Sequence, residues 1–190
     1  MDRYRSYEEL KTREREGVDY RIIVKRRQWS RVAVIAPHGG QIETATSSVA
    51  RAIASSRFNL YLFEGTRPGD NYPRLHITSR HFDEPRCLDL VSRCDTVIAV
   101  HGCKGPGICV LLGGLDQQLK RRISKQLRAR AIRCMLNGHG FPGTSGRNIC
   151  NRGRGHHGVQ VELTARARRG PPARAVAAAI QEALRHSDRY

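Results

Sequence analysis

A short apolar run, Arg31 to Ala36, stops at Pro37 and delivers His38, Gly39, Gly40 and then Glu43. A second run, Thr96 to Val100, ends in His101-Gly102 in the same fashion. Runs this short and this continuously apolar read as strands buried on both faces, the situation of a parallel sheet. A strand holds its final side chain rigidly, and a Gly-Gly turn lets the backbone fold back and bring Glu43 toward whatever His38 binds. If the two strands are parallel and adjacent, His38 and His101 meet at their carboxyl ends, where open α/β sheets collect ligands. Two His and one carboxylate, with a fourth position open to water, are a catalytic zinc set. Taken singly, each residue has a plainer reading: a hydrogen-bonded loop His, or a Glu complementing the dipole of a helix's first turn. The repetition of apolar strand, His and Gly at two sites is what weighs for a metal.

The rest of the chain alternates strand, turn and helix. Val18 to Val24 reads as an edge strand, Thr44 to Ser56 as a helix, and Asn59 to Phe63 as another buried strand. Leu75 to Ser79 alternates like a strand, and Phe82-Asp83-Glu84-Pro85 opens a helix running to about Arg93, with acidic residues and Pro at its start. Ile108 to Leu112 is a further strand, Gln117 to Ile132 a strongly basic helix, and Ala173 to His186 a closing helix expected only to pack. From Asn137 to Gly158 the chain is rich in Gly, Asn, Arg and His, and a loop that long is usually functional or disordered. It leads into Gly158 to Leu163, where Glu162 alternates with Val161 and Leu163, so a carboxylate faces away from one buried face and costs energy unless it meets a cation. The 190 residues suit one α/β domain, 1-190, with residues 1-17 expected as a loosely held arm or, from Ser6 to Glu16, a short surface helix.

Lys and Arg outnumber Asp and Glu 34 to 17, a formal charge of +17, which raises anionic polymers, acidic peptides and nucleic acid as partners. Aromatics are only 6% of the chain and no Arg-rich stretch interleaves them, so a single-strand stacking platform is not favoured. The charged amino terminus is no signal peptide and no apolar run approaches membrane-spanning length, so a cytoplasmic protein without a membrane partner is expected. Six cysteines without a C-x-x-C pair argue for buried reduced thiols rather than a zinc ribbon or a disulfide framework.

Several ordered blocks resemble the poly-γ-glutamate hydrolase family, some members of which carry the label phage-related replication protein. They are Ala36-Pro37-His38-Gly39-Gly40 with Ile42-Glu43, Leu75 to Ser79 with Phe82 to Pro85, His101-Gly102, Asn148 to Arg152 and Gly158 to Glu162, spread over roughly residues 18 to 186. The resemblance implies a three-layer α/β fold similar to the metallocarboxypeptidases, a central, mostly parallel mixed sheet flanked by helices. It further implies one zinc per chain held by His38, Glu43 and His101, Glu162 as general base, and Asn151 with Arg152 holding a substrate carboxylate. It implies hydrolysis of γ-glutamyl amide bonds, in poly-γ-glutamate first, by metal-activated water. His76 lies in a matching block without an assignable role, and His81, His139, His156 and His157 read as surface residues. Two alternatives stand beside this: a zinc amidase for another acidic or cell-wall peptide, and a basic nucleic-acid-binding accessory protein, which would leave Glu43 and Glu162 unexplained. A monomer is the default expectation.

Overall fold

The apolar runs become neighbours in one seven-stranded sheet, ordered β1-β3-β2-β4-β7-β5-β6, in a computed structural model that describes residues 2–185. The strands are β1 (Tyr20–Lys25), β2 (Val32–Gly40), β3 (Asn59–Gly65), β4 (Thr96–Cys103), β5 (Cys109–Gly113), β6 (Arg133–Met135) and β7 (Val159–Thr164). The central strands β3, β2, β4 and β7 run parallel, while β1 on β3 and β5 on β7 are antiparallel, so the sheet is mixed as expected.

Strand side chains alternate between two cores. Val32, Val34 and Ala36 of β2, Ile98 and Val100 of β4 and Val161 and Leu163 of β7 point to one face. There they pack on α2 (Thr46–Ala54), α5 (Gln117–Arg128) and α6 (Gly170–Leu184). Ala33, Ile35, Tyr61, Phe63, Val97 and Ala99 point to the other, under α1 (Tyr7–Lys11), α3 (Asn71–Leu75) and α4 (Pro85–Ser92). Helices on both faces of a sheet give the three-layer α/β arrangement. The cysteines are free, all buried except the half-buried Cys134, as their pattern indicated.

The structure departs from the sequence reading at five places. β2 does not stop at Pro37 but continues to Gly40; its register on β3 shifts between Ala36 and Gly39, and its pairing with β4 ends at Ile35. Pro37 thus sits in a bulge, where its missing N–H breaks no ladder bond and where bulges re-aim side chains. Leu75 to Ser79 is no strand: the helix α3 ends at Leu75, and the segment after it has no strand partner. α5 ends at Arg128, Ala131 takes a positive φ of 55°, and three further residues form β6 on β5. α6 begins at Gly170 rather than Ala173, and the expected end at His186 lies outside the described residues.

The fifth departure is the amino-terminal arm, which is docked rather than loose. Tyr4, Tyr7 and Leu10 are buried, the Tyr4 hydroxyl donates to Glu14 at 2.8 Å, and the Tyr7 N–H donates to Asp83 at 2.6 Å. Aromatic packing holds the arm on the sheet: Tyr7 meets edge-on both Tyr20 of β1, at 6.2 Å between ring centroids, and Phe63 of β3, at 6.4 Å, and those two strand rings stack on each other at 4.8 Å. Phe63 also meets Phe82, whose ring faces His38. Phe63→Ala should therefore cost about 3–5 kcal/mol, the range for emptying a fully buried Phe site, seen as a lower urea midpoint at unchanged slope.

Candidate metal centre and active site

The carboxyl ends of β2, β4 and β7 converge beneath a cavity of about 830 Å³ lined by His38, Glu43, His76, His101, Gln160 and Glu162, among others. The bulge aims the His38 ring into it. Gly40, with a φ of 63°, then lets the chain pass against the end of β3, where any added Cβ would lie 2.4 Å from the Gly65 carbonyl oxygen. The turn closes with the Glu43 N–H donating to the His38 carbonyl at 2.9 Å, so the two side chains are presented side by side.

The hydrogen bonds specify which atoms are available. His38 Nε2 lies 2.8 Å from the Ile77 carbonyl oxygen, which can only accept, so the proton sits on Nε2 and Nδ1 carries a lone pair. That Nδ1 is 3.2 Å from Glu43 Oε1 and 3.1 Å from His101 Nδ1. Glu43 Oε2 is 3.7 Å from His101 Nδ1 and accepts the Gly102 N–H at 2.8 Å. Ligand atoms about 2.0–2.2 Å from a tetrahedral zinc stand roughly 3.3 Å from one another, so these three donors have the spacing of a zinc set. The carbonyl on His38, the Gly102 N–H on Glu43 and Ser79 Oγ, 3.4 Å from His101 Nε2, are the outer partners that orient such ligands.

His76 adds a fourth donor that its sequence did not reveal. Its Nδ1 donates to Asp2 at 2.7 Å, and its Nε2 faces Glu43 Oε1 at 4.0 Å. His38, Glu43 and His76 present ligand atoms within 4.8 Å of one another, a wider grouping than the one through His101. Asp2 also accepts the Thr78 N–H at 2.6 Å, so the docked arm holds the segment after α3 over the site.

Glu162 enters through strand register. It is the direct partner of His101 across β4 and β7, so both side chains project from the same face of the sheet, with Gln160 two residues back. Gln160 donates to Glu162 at 3.0 Å and accepts from Asn148 at 2.7 Å, a chain that fixes the carboxylate. Electrostatics separate the two acids. Burial pushes the Glu43 carboxyl up, but the neighbouring His38 and His101 outweigh it and hold it well below the usual carboxylate range. Glu162 is raised, first by burial and then by the charge of Glu43, against the pull of His101. Burial lowers His101, yet Glu43 and Glu162 raise it overall, whereas burial, with His38 alongside, brings His76 down to about 4.

The structure thus brings four of the sequence candidates together, His38, Glu43, His101 and Glu162, and leaves two apart. Asn151 is buried, but its side chain donates to the carbonyls of Gly143 and Ser145 and accepts the N–H groups of Leu115 and Gly158. With its bonding capacity spent on bracing the 137–158 loop, it has none for a substrate, and neither it nor the exposed Arg152 lines the cavity. The cations that do line it are Arg80, Lys104 and Arg168.

Comparison with known proteins gives the family of the chain. The profile of a family described as poly-gamma-glutamate hydrolase matches residues 4–171. The SPbeta prophage-derived protein YoqZ of Bacillus subtilis strain 168 is 37% identical over 171 residues, covering 88% of this chain and 61% of YoqZ. YndL of the same organism is 36% identical over 165 residues, 86% of this chain and 64% of YndL. The chain therefore spans about three fifths of the length of these curated relatives. A solved structure of a bacteriophage poly-gamma-glutamate hydrolase superposes with a TM-score of 0.93 at 32% identity, covering 98% of each chain. A zinc-free apo structure of YNDL superposes at 0.90 with 31% identity, covering 98% of this chain and 99% of that one.

Proposed function

This chain belongs to the poly-gamma-glutamate hydrolase family, and on that premise we propose that it is a zinc-dependent hydrolase of γ-glutamyl amide bonds, with poly-γ-glutamate as its substrate. The observation that carries the reading is the buried donor set: Nδ1 of His38, Nδ1 of His101 and the Glu43 carboxylate at mutual distances of 3.1–3.7 Å, beside a second carboxylate of opposite electrostatic character. His38, Glu43 and His101 hold the metal through these atoms. Bound there, zinc supplies a Lewis acid for the amide carbonyl and lowers the pKa of a water toward ~7.

Glu162 is the general base. It takes the attacking water's proton and returns it to the leaving amine, while Gln160 and Asn148 keep its carboxylate from rotating away. The separation of the two acids fits these tasks. Glu43, held low, suits an anionic ligand, and Glu162, held high, suits a group that carries a proton during turnover. The excess of 34 basic over 17 acidic residues gives the surface a field that draws a polyanion toward the site.

A pH dependence follows from the raised Glu162. A base works only when ionised, so kcat/KM rises with pH through the Glu162 pKa and falls away below it. Because that pKa is raised, the midpoint of this acid limb lies above the roughly 4.3 of an ordinary Glu. A pH–rate profile with its limb at or below that value would remove Glu162 as the base.

Gel filtration of high-molecular-mass poly-γ-glutamate after incubation with the protein tests the whole reading. Shortening is expected with zinc, its loss with chelator, recovery on adding zinc back, and no cleavage of α-linked polyglutamate. Undiminished shortening in chelator, or equal attack on the α-linked polymer, would rule the reading out.

A further inference from the structure

Arg168 stands in the cavity wall without a charge partner. Arg21, Arg51, Arg67, Arg74 and Arg86 all pair with carboxylates, but Arg168 has no ion pair among the described residues. It is half-buried, and its Nε is buried with no hydrogen-bond partner. A guanidinium desolvated in this way is costly unless something completes it.

Its placement is fixed from two sides. Nη1 donates to the Leu163 carbonyl at 3.0 Å, tying the head to β7 beside Glu162. The plane of the guanidinium lies over Gly102, so close that a Cβ there would meet Nη1 at 2.0 Å and Cζ at 2.7 Å. A side chain at position 102 would displace it. Gly102 in turn follows His101 and donates its N–H to Glu43, so the guanidinium sits one residue from the donor set. The other cations of the cavity, Arg80 and Lys104, are exposed and have no such bracing.

Resting on the hydrolase reading above, we propose that Arg168 binds the α-carboxylate of the γ-glutamyl residue at the scissile bond and so determines specificity for γ-linked glutamate. The chemistry is complementary: in a γ-linked chain every residue keeps a free α-carboxylate close to the amide, and a planar fork with unused N–H groups takes such a carboxylate bidentately. An α-linked chain places its carboxylates at the far end of the side chain, out of register with a cation fixed beside the donor set. Arg168 takes the place that the sequence reading gave to Asn151 and Arg152.

Binding measured without turnover tests this. In zinc-loaded Glu162→Gln protein, calorimetry would follow a short γ-linked glutamate oligomer and the same oligomer with its α-carboxylates converted to primary amides. Adding Arg168→Met should weaken the acidic oligomer on the order of 10–100-fold, the worth of a charge-assisted bidentate contact, and leave the amidated one unchanged. Arg168→Lys, which keeps charge but not the fork, should fall between, and it carries the test if the Met variant does not fold. Equal affinity of the acidic oligomer in both backgrounds, or equal loss for both oligomers, would overturn the assignment while leaving the hydrolase reading intact. Wild-type protein that neither binds nor cleaves the acidic oligomer would overturn both.

Discussion

Glu162→Gln protein will retain its zinc and its fold and lose about 10²–10⁴ in kcat, the usual contribution of a positioned general base. Gln keeps the size of the side chain and its contact with Gln160, but it can take no proton. The loss should sit in kcat with little change in KM, because the proton is moved only in the transition state. The variant should also lack the acid limb that wild-type protein shows. Loss of zinc together with activity would mean instead that Glu162 supports the metal rather than the reaction.

His101→Ala will release the metal. The variant loses a donor that stands 3.1 Å from His38 Nδ1, and the Glu43 carboxylate is left with one close histidine. Zinc affinity should fall by more than the roughly 10–100-fold that removal of an outer partner costs, and hydrolysis should drop to the level of chelated wild-type protein. His76→Ala is the informative companion. Its Nε2 is 4.0 Å from Glu43, farther than His101, so this variant should keep its zinc. The reverse result, zinc kept without His101 and lost without His76, would transfer the third ligand position to His76.

The parts of this site that were legible in the sequence are those fixed by local patterning. A strand followed by His and Gly is readable wherever it occurs, and it marked both His38 and His101; the period of two along β7 set Glu162 apart from its apolar neighbours. What could not be read depends on contacts between distant segments. The alternation of Leu75 to Ser79 has a cause other than a ladder: His76 and Thr78 turn toward Asp2, while Leu75 and Ile77 turn into the core. The charged arm read as loosely held because its three anchors, Tyr4, Tyr7 and Leu10, gain meaning only from the sheet they cover.

Arg168 illustrates the same limit. It lies among Arg166, Arg168 and Arg169, and nothing in the order of residues says which of the three packs on Gly102. For Asn151 and Arg152 the family resemblance pointed to a substrate carboxylate, but the loop needs its own backbone groups satisfied, and the Asn151 side chain is committed to them. Small-residue contacts and loop bracing are decided in three dimensions, and residue type alone does not distinguish them from binding chemistry.

Elemental analysis of purified protein shows whether His38, Glu43 and His101 hold a zinc ion. About one zinc per chain in wild-type protein, removable by chelator and absent from His101→Ala, is the predicted result. Wild-type protein that carries no metal and takes up none when zinc is supplied would contradict it.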